Sequence, residues 1–206
     1  VYRLEINGSL FGDAWDCKTC RPFVTILKDI PQIKDATYIS PYLNQMEIKV
    51  GERNLTVPVF NMGKPGIEFF TGKLISGSSK TWGTGTGATA IASRSLAEKM
   101  FGTANAAGRT FASENNGETT IVTVVGVSED MPDNCTLPNG LYICDKENGL
   151  TDWSEWSYNV YVRLDNEANK DKVLRALKLG FMKSNGISEE QEEQFDKEVK
   201  MKFRLT

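Results

Sequence analysis

Three stretches in the middle of the chain decide the fold: EFFTGKLISGSS (residues 68–79), ATAIASRSLAEKMFGTANAAGRTF (residues 88–111) and TIVTVVGVSEDMP (residues 120–132). The first is a Phe-Phe segment that ends at a glycine turn. The second predicts a helix with Ser93 or Ser95 as its N-cap, of which Ser95 fits a capping box with Glu98, and with Gly102 in the left-handed position at its end. The third, from Ile121 to Val127, is β-branched on both faces, which predicts a strand buried on both sides.

The two ends of the chain share one order of elements, which is strand, helix, strand. A strand over residues 1–6 precedes a helix that starts at Pro22, where the missing N–H costs nothing. An alternating strand over residues 158–164 precedes a helix that ends at Asn185-Gly186, and residues 198–205 alternate again as a final strand. Between that helix and the final strand, Ser188 and Gln191 fit a capping box, which predicts a further short helix.

This pattern predicts an α+β fold with two lobes. Residues 1–69 and 154–206 would form one α+β lobe, because both ends have the same order of elements. Residues 70–153 would form an inserted α/β lobe. A hairpin around Gly51-Glu52-Arg53 falls in the first lobe on this prediction.

Composition excludes several classes of function. The chain has 206 residues, 40% hydrophobic and 25% charged, which is typical of a globular protein. The net charge is −3 and no basic patch stands out, so we expect no nucleic-acid partner. There is no histidine, which excludes Ser-His-Asp and Cys-His catalysis. No apolar run approaches the roughly 20 residues that cross a bilayer. Both ends stop within strand patterns, which we interpret as excision from a longer protein.

Four cysteines offer two local pairs, Cys17 with Cys20 and Cys135 with Cys144. The even count predicts two short-range disulfides in an oxidising compartment, with free thiols as the alternative. A four-cysteine zinc site is disfavoured because the second spacing is too wide.

The Cys17-Lys18-Thr19-Cys20 motif also supports a second hypothesis, a secreted thioredoxin-like thiol oxidoreductase. A C-x-x-C motif at a helix N-terminus favours the thiolate. Trp15 lies nearby, and Thr56-Val57-Pro58 could supply a proline loop. Against this hypothesis, Pro31 keeps the following helix short, and the tryptophan is not adjacent to the first cysteine.

The glycine-rich segment matches no nucleotide-binding motif. Gly72 to Gly77 has the spacing of a phosphate loop, but Ser78 stands where lysine is needed. Gly83, Gly85 and Gly87 precede a strand, so the dinucleotide fingerprint fails. We predict a surface loop there that contacts a partner protein. Trp153 and Trp156 could form a ligand-binding platform, although core packing is the commoner fate of such residues. No catalytic, cofactor-binding or metal-binding residue is predicted.

The ordered segments resemble the extracytoplasmic domain of MacB/FtsX-type ABC-transporter permeases. Residues 90–102 are similar to the family's SESLAxKxFG helix, and Ala107-Gly108-Arg109 to its xGK turn. Residues 124–132 resemble its VVGVxxDxP segment, and residues 159–164 its YxxYxxL strand. The Gly83–Gly87 run and the four cysteines have no counterpart in that pattern.

The resemblance implies a periplasmic core domain at the outer face of the inner membrane, with a Porter-like lobe from both chain ends and an inserted Sabre-like lobe. The full-length permease would have four transmembrane helices, which flank this segment and are absent from it, and would form a homodimer or heterodimer. ATP would be bound by a separate cytoplasmic ATPase domain or subunit, so this domain would need no cofactor and would not be an enzyme. By mechanotransmission it would pass ATP-driven motion to a periplasmic adaptor or another periplasmic protein, for export, lipoprotein release or control of cell-wall hydrolases.

Overall fold

The computed structural model describes residues 1–8, 14–40, 44–71, 74–115, 117–133, 135, 137–145 and 150–206. The helices are α1 (Pro22–Lys28), α2 (Glu68–Thr71), α3 (Arg94–Phe101), α4 (Lys170–Ser184) and α5 (Glu192–Glu198). The strands are β1 (Tyr2–Asn7), β2 (Ile33–Ile39), β3 (Asn44–Val50), β4 (Arg53–Met62), β5 (Leu74–Gly77), β6 (Ala88–Ser93), β7 (Thr110–Asn115), β8 (Glu118–Ser128), β9 (Leu141–Cys144), β10 (Asn159–Leu164) and β11 (Lys202–Leu205). This mixture confirms the predicted α+β class.

The chain divides into two compact units. Unit 1 contains Val1–Pro41 and Glu147–Thr206, and unit 2 contains Tyr42–Lys146. These divisions differ from the predicted lobe boundaries at residues 69/70 and 153/154. The hairpin of β3 and β4, which the sequence assigned to the terminal lobe, belongs to unit 2, because β3 pairs with β7 and β4 pairs with β9. Those are long-range pairings that a local pattern does not contain.

Unit 1 is a four-stranded antiparallel sheet with helices on one face. The strand order is β11–β1–β10–β2. Strand alternation places Leu4, Ile6 and Leu205 on the face that α1 and α4 cover, where all three are buried. Helices α1 and α4 pack closely at Gly180, where an added Cβ would lie 2.4 Å from Cγ2 of Ile26. This approach explains a glycine in the interior of a helix, which otherwise costs stability.

An aromatic cluster fills the core of unit 1. The ring of Phe23 lies 5.0 Å from Trp153, 5.9 Å from Trp156, 5.5 Å from Phe181 and 5.6 Å from Phe203, measured between centroids. Most of these contacts are edge-to-face, the arrangement that aromatic quadrupoles favour. The tryptophans are therefore parts of the core.

Unit 2 is a closed ring of six strands. The order is β4–β3–β7–β8–β6–β9, and β9 returns to β4 in a parallel pairing that closes the ring. Strand β5 adds to one edge of β8. Val59, Val122, Val124 and Leu141 lie in the core of the ring, which α3 covers with Leu96 and Met100. Closure leaves few unpaired backbone groups on these strands.

Strand β8 is buried on both sides only in its second half. Val124, Gly126 and Val127 are buried, whereas the side chain of Ile121 is 59% exposed. The prediction that Ile121 is buried was wrong, because the first half of β8 forms a hairpin with β7 that has one solvent-exposed face.

The predicted helix ends are confirmed in part. Gly102 ends α3 with a φ of +74°, and Ser188 with Gln191 forms the predicted capping box. The Ser95–Glu98 capping box was wrong, because α3 begins two residues earlier, and the other candidate, Ser93, is at its N-cap. The backbone N–H and the hydroxyl of Ser95 instead donate to the carboxylate of Asp130, each at 3.0 Å to Oδ1. Two of the sequence segments quoted above therefore meet at the start of α3. Within the described residues, no helix is long and apolar enough to cross a bilayer.

Two glycines with similar backbone angles allow a matched test of packing in unit 2. Gly77 and Gly85 have φ values of +76° and +78°. A Cβ at Gly77 would lie 2.2 Å from the carbonyl oxygen of Val125, whereas a Cβ at Gly85 would meet nothing within 4 Å. Both substitutions place an alanine in a left-handed backbone conformation, which lowers stability, but only Gly77→Ala also forces β5 away from β8. We expect Gly77→Ala to lower the free energy of unfolding by about 2 kcal/mol more than Gly85→Ala. Urea denaturation measures the difference, and equal losses would contradict the close approach.

Candidate functional site

The first and last strands of the chain lie side by side. Strands β1 and β11 are antiparallel, with Leu4 opposite Leu205 and Asn7 opposite Lys202. The backbone N–H of Arg3 donates to the carbonyl of Thr206 at 2.9 Å, and the N–H of Thr206 donates to the carbonyl of Arg3 at 3.0 Å. Residues 1 and 206 therefore leave the sheet next to each other.

A buried carboxylate joins these two strands on the sheet face opposite the helices. Glu5 is only 5% exposed. Its Oε1 accepts from Nη2 of Arg3 at 2.7 Å and from the hydroxyl of Thr206 at 3.0 Å. Its Oε2 accepts from Nε and Nη2 of Arg204 at 2.7 and 2.5 Å. We call Arg3, Glu5, Arg204 and Thr206 the terminal clamp.

The donors of the terminal clamp keep Glu5 ionised. Burial alone raises the pKa of the Glu5 carboxyl, because it disfavours the charged form. The hydrogen bonds from Arg3, Arg204 and Thr206 outweigh burial, and the net result is a lowered pKa. Two guanidinium groups and a hydroxyl thus compensate one carboxylate that would otherwise be costly to bury.

The segment before α1 extends the clamp along β1. The indole ring of Trp15 lies 4.3 Å from the guanidinium carbon of Arg204, a cation–π contact. Asp16 exchanges both backbone hydrogen bonds with Ile6, at 2.8 and 2.9 Å. Trp15 therefore covers the Arg204 side of the terminal clamp.

The sheet of unit 1 connects the chain ends to the point where the chain leaves for unit 2. On β10, Val162 lies opposite Tyr2 near the chain ends, and Asn159 lies opposite Ile39 at the other end of the sheet. After Ile39 the chain continues into unit 2. The hydrogen-bonded strands β1, β10 and β2 therefore connect the terminal clamp directly to Ile39, the end of β2 from which the chain continues into unit 2.

None of the four cysteines forms a disulfide, so neither predicted bridge is present in the structure. The side chain of Cys20 points into the core of unit 1, where its thiol donates to the carbonyl of Trp153 at 3.6 Å. Cys17 is partly exposed in the segment before α1. In the second pair, Cys135 accepts from the N–H of Leu137, and Cys144 donates to the carbonyl of Asp145, each at 3.5 Å. Each of these three sulfurs has a hydrogen-bond partner of its own.

The geometry around Cys17 and Cys20 does not fit a thioredoxin-like site. A redox-active C-x-x-C motif places its first cysteine at a helix N-terminus, where the helix dipole favours the thiolate. Helix α1 begins only at Pro22, after Thr19 has paired with Tyr158. Pro58, the candidate for the proline loop, lies within β4 opposite Gln45.

The predicted partner-contact loop is exposed and anchored at one end. Gly83, Gly85 and Gly87 are exposed and precede β6. The loop begins after Trp82, which is buried and donates from Nε1 to the carbonyl of Tyr142 at 3.0 Å. Gly83 has no room for a side chain, because a Cβ would lie 2.3 Å from Sγ of Cys144. Contact with a partner stays a prediction. Gly72 and Lys73, from the segment whose spacing was compared with a phosphate loop, lie outside the described residues.

Sequence reasoning missed the terminal clamp, although a signal for it was present. In YRLEIN, Arg3 and Glu5 alternate with Leu4 and Ile6, and in KFRL, Arg204 alternates with two apolar residues. Opposite charges on the outer faces of the first and last strands predict that these strands pair. Among the described residues, no group of three or more Cys, Asp or Glu side chains is placed to hold a metal ion.

Removing the charge of Glu5 tests the clamp. We expect Glu5→Gln to lower the free energy of unfolding by roughly 2 kcal/mol at pH 7, because it leaves two arginines facing a neutral amide. The folded-state pKa of Glu5 is lowered, so its contribution is complete above about pH 5 and is lost as the pH falls through that pKa. The difference between wild type and variant should therefore shrink from pH 6 to pH 3 in urea denaturation.

The control is Glu193→Gln, which breaks an exposed pair with Lys197 whose side chains are 83% and 72% exposed. It should change stability very little. Equal effects of the two substitutions, or a Glu5→Gln effect independent of pH, would contradict the clamp.

Comparison with known proteins shows which solved structures share this fold. No family model and no curated protein matches the sequence. Among solved structures, a domain assigned to a permease protein from Porphyromonas gingivalis aligns over 100% of this chain and 88% of its own, with a TM-score of 0.77 and 19% identity. The periplasmic region of MacB from Actinobacillus actinomycetemcomitans aligns over 99% of this chain and 87% of its own, with a TM-score of 0.60 and 18% identity.

The extracellular domain of the ABC-type transporter YknZ from Gram-positive bacteria covers 99% of each chain, with a TM-score of 0.57 and 14% identity. These similarities extend over nearly the whole chain and include both units. The chain therefore has the fold of the periplasmic and extracellular domains of MacB-type transporters.

Proposed function

We propose that this chain is the extracytoplasmic domain of an ABC-transporter permease, and that it transmits motion instead of catalysing a reaction. The observation that carries the proposal is the pairing of the first and last strands through the terminal clamp. Chain ends that leave a sheet side by side suit a domain inserted between two membrane-spanning helices. The fold shared with the MacB and YknZ domains supports the same assignment.

In this proposal unit 1 is the Porter-like lobe and unit 2 is the Sabre-like lobe. Transmembrane helices before residue 1 and after residue 206 would move when a cytoplasmic ATPase binds and hydrolyses ATP. The terminal clamp would keep β1 and β11 together under that load, and β10 and β2 would carry the displacement to the exit toward unit 2. The permease would form a dimer at the inner membrane, with the chain on its periplasmic face.

The exposed loop at Gly83, Gly85 and Gly87 is the surface through which unit 2 would contact a periplasmic adaptor or other protein. Its glycines leave the backbone accessible, and Trp82 holds the start of the loop in a fixed position. The domain would bind no cofactor, because ATP is used by the separate ATPase.

The sequence around this segment in its parent gene tests the proposal. We expect an apolar run of about 20 residues shortly before Val1 and another shortly after Thr206. We also expect an ATPase domain in the same protein or in a neighbouring gene. Hydrophilic flanks on both sides would overturn the assignment, because the clamp would then have no membrane helices to hold.

A further inference from the structure

The outer edge of β11 has backbone groups that no other described strand uses. The reciprocal hydrogen bonds of Arg3 and Thr206 fix the register of β1 and β11. In an antiparallel pair, hydrogen-bonded positions alternate, so Glu5 and Arg204 form the next such pair. The N–H and C=O groups of Phe203 and Leu205 therefore point away from β1. Within the part of the chain that the structure describes, β11 pairs with β1 alone.

The exposed face of this edge is positively charged. Lys202 and Arg204 lie on the same face of β11 by strand alternation, and both are exposed. Glu5 on the neighbouring strand is already shared by Arg3 and Arg204. With Lys202 included, three cations face one carboxylate, which leaves a net positive charge on this face. The opposite face is apolar, because Phe203 and Leu205 pack against the core of unit 1.

Charge decides which strand could be added at this edge. A second copy of the chain would bring its own Lys202 and Arg204 opposite those of the first, and like charges directly opposite are destabilising. Edge lysines protect a sheet against self-association in this way. The same cations attract a strand whose side chains on that face are acidic.

We propose that the free edge of β11 binds an extended acidic segment of a partner protein by strand addition. Acidic residues at every second position of the segment would face Lys202 and Arg204. The intervening residues would be apolar and would lie beside Phe203 and Leu205. Backbone hydrogen bonds to these two residues would supply the affinity, and the cations would supply the selectivity. This proposal does not depend on the proposed transporter function.

The test uses the complete 206-residue chain and a fluorescein-labelled peptide in which glutamate alternates with valine and threonine. We expect saturable binding in fluorescence anisotropy and shifts of the Phe203 and Leu205 amide signals in ¹⁵N NMR spectra. Two control peptides separate charge from strand pairing. One replaces every glutamate by lysine, and the other keeps the charges but is N-methylated at alternate backbone nitrogens. Neither should bind.

A charge reversal on the protein completes the test. Lys202→Glu should weaken binding about tenfold, because it replaces an attraction by a repulsion at the exposed edge. The matched control is Lys183→Glu, an exposed lysine on α4 that should leave binding unchanged. Equal binding of the N-methylated peptide, equal effects of the two substitutions, or amide shifts confined to other strands would overturn the proposal. Concentration-dependent dimerisation without peptide in analytical ultracentrifugation, accompanied by shifts of the Phe203 and Leu205 amide signals on dilution, would assign the edge to a second copy and would also overturn it.

Discussion

The structure of unit 1 depends on the burial of one carboxylate between two arginines. A glutamate in the position of Glu5 would be costly without partners, because it lies almost entirely out of water. Arg3 on the same strand and Arg204 on the last strand compensate it, so β1 needs β11 to satisfy its own charge. The hydrophobic face of the same strands then packs on α1 and α4 around Phe23. Charge on one face and apolar burial on the other thus fix the same strand pair.

Under the proposed function, this arrangement would let a sheet of modest size carry load. The chain ends leave one end of the sheet, and the chain continues toward unit 2 from the other end, so that β1, β10 and β2 lie directly between the two. Unit 2 closes its six strands into a ring, which leaves that body little freedom to deform internally. The proposed transmission would require two well-packed units, since displacement would otherwise be lost as local deformation.

Much of the fold follows from local patterns. The alternation in β10 and β11, the apolar face of α4 and the glycine at position 102 all predict elements that the structure contains. The boundaries between the two units could not be predicted, because they depend on which distant strands pair. The pattern of β3 and β4 predicts a hairpin correctly, but only their pairing with β7 and β9 assigns that hairpin to unit 2.

The site was less predictable than the fold. The sequence predicts cysteines and glycines as site residues because those residue types are often functional, yet Cys20 is buried in the core. The terminal clamp consists of common residue types, and its central pair, Glu5 and Arg204, is 199 positions apart in sequence. The clamp matters because Glu5 is buried and because the first and last strands pair. The residue types alone predict neither property. The start of α3 was equally hard to predict, because Ser95 hydrogen-bonds to the distant Asp130 and not to the nearby Glu98.

The central claim is that unit 1 moves as one body when the proposed motor moves the chain ends. Spin labels attached through unnatural amino acids at Lys28 and Lys183, in the proposed transporter that would contain this domain, test the claim most directly through the distances between them. On addition of ATP, the distance between the Lys183 labels of two protomers should change by several ångströms. The distance between the Lys28 and Lys183 labels within one unit 1 should stay the same. An unchanged distance between protomers, or a change within unit 1 of similar size, would contradict the account.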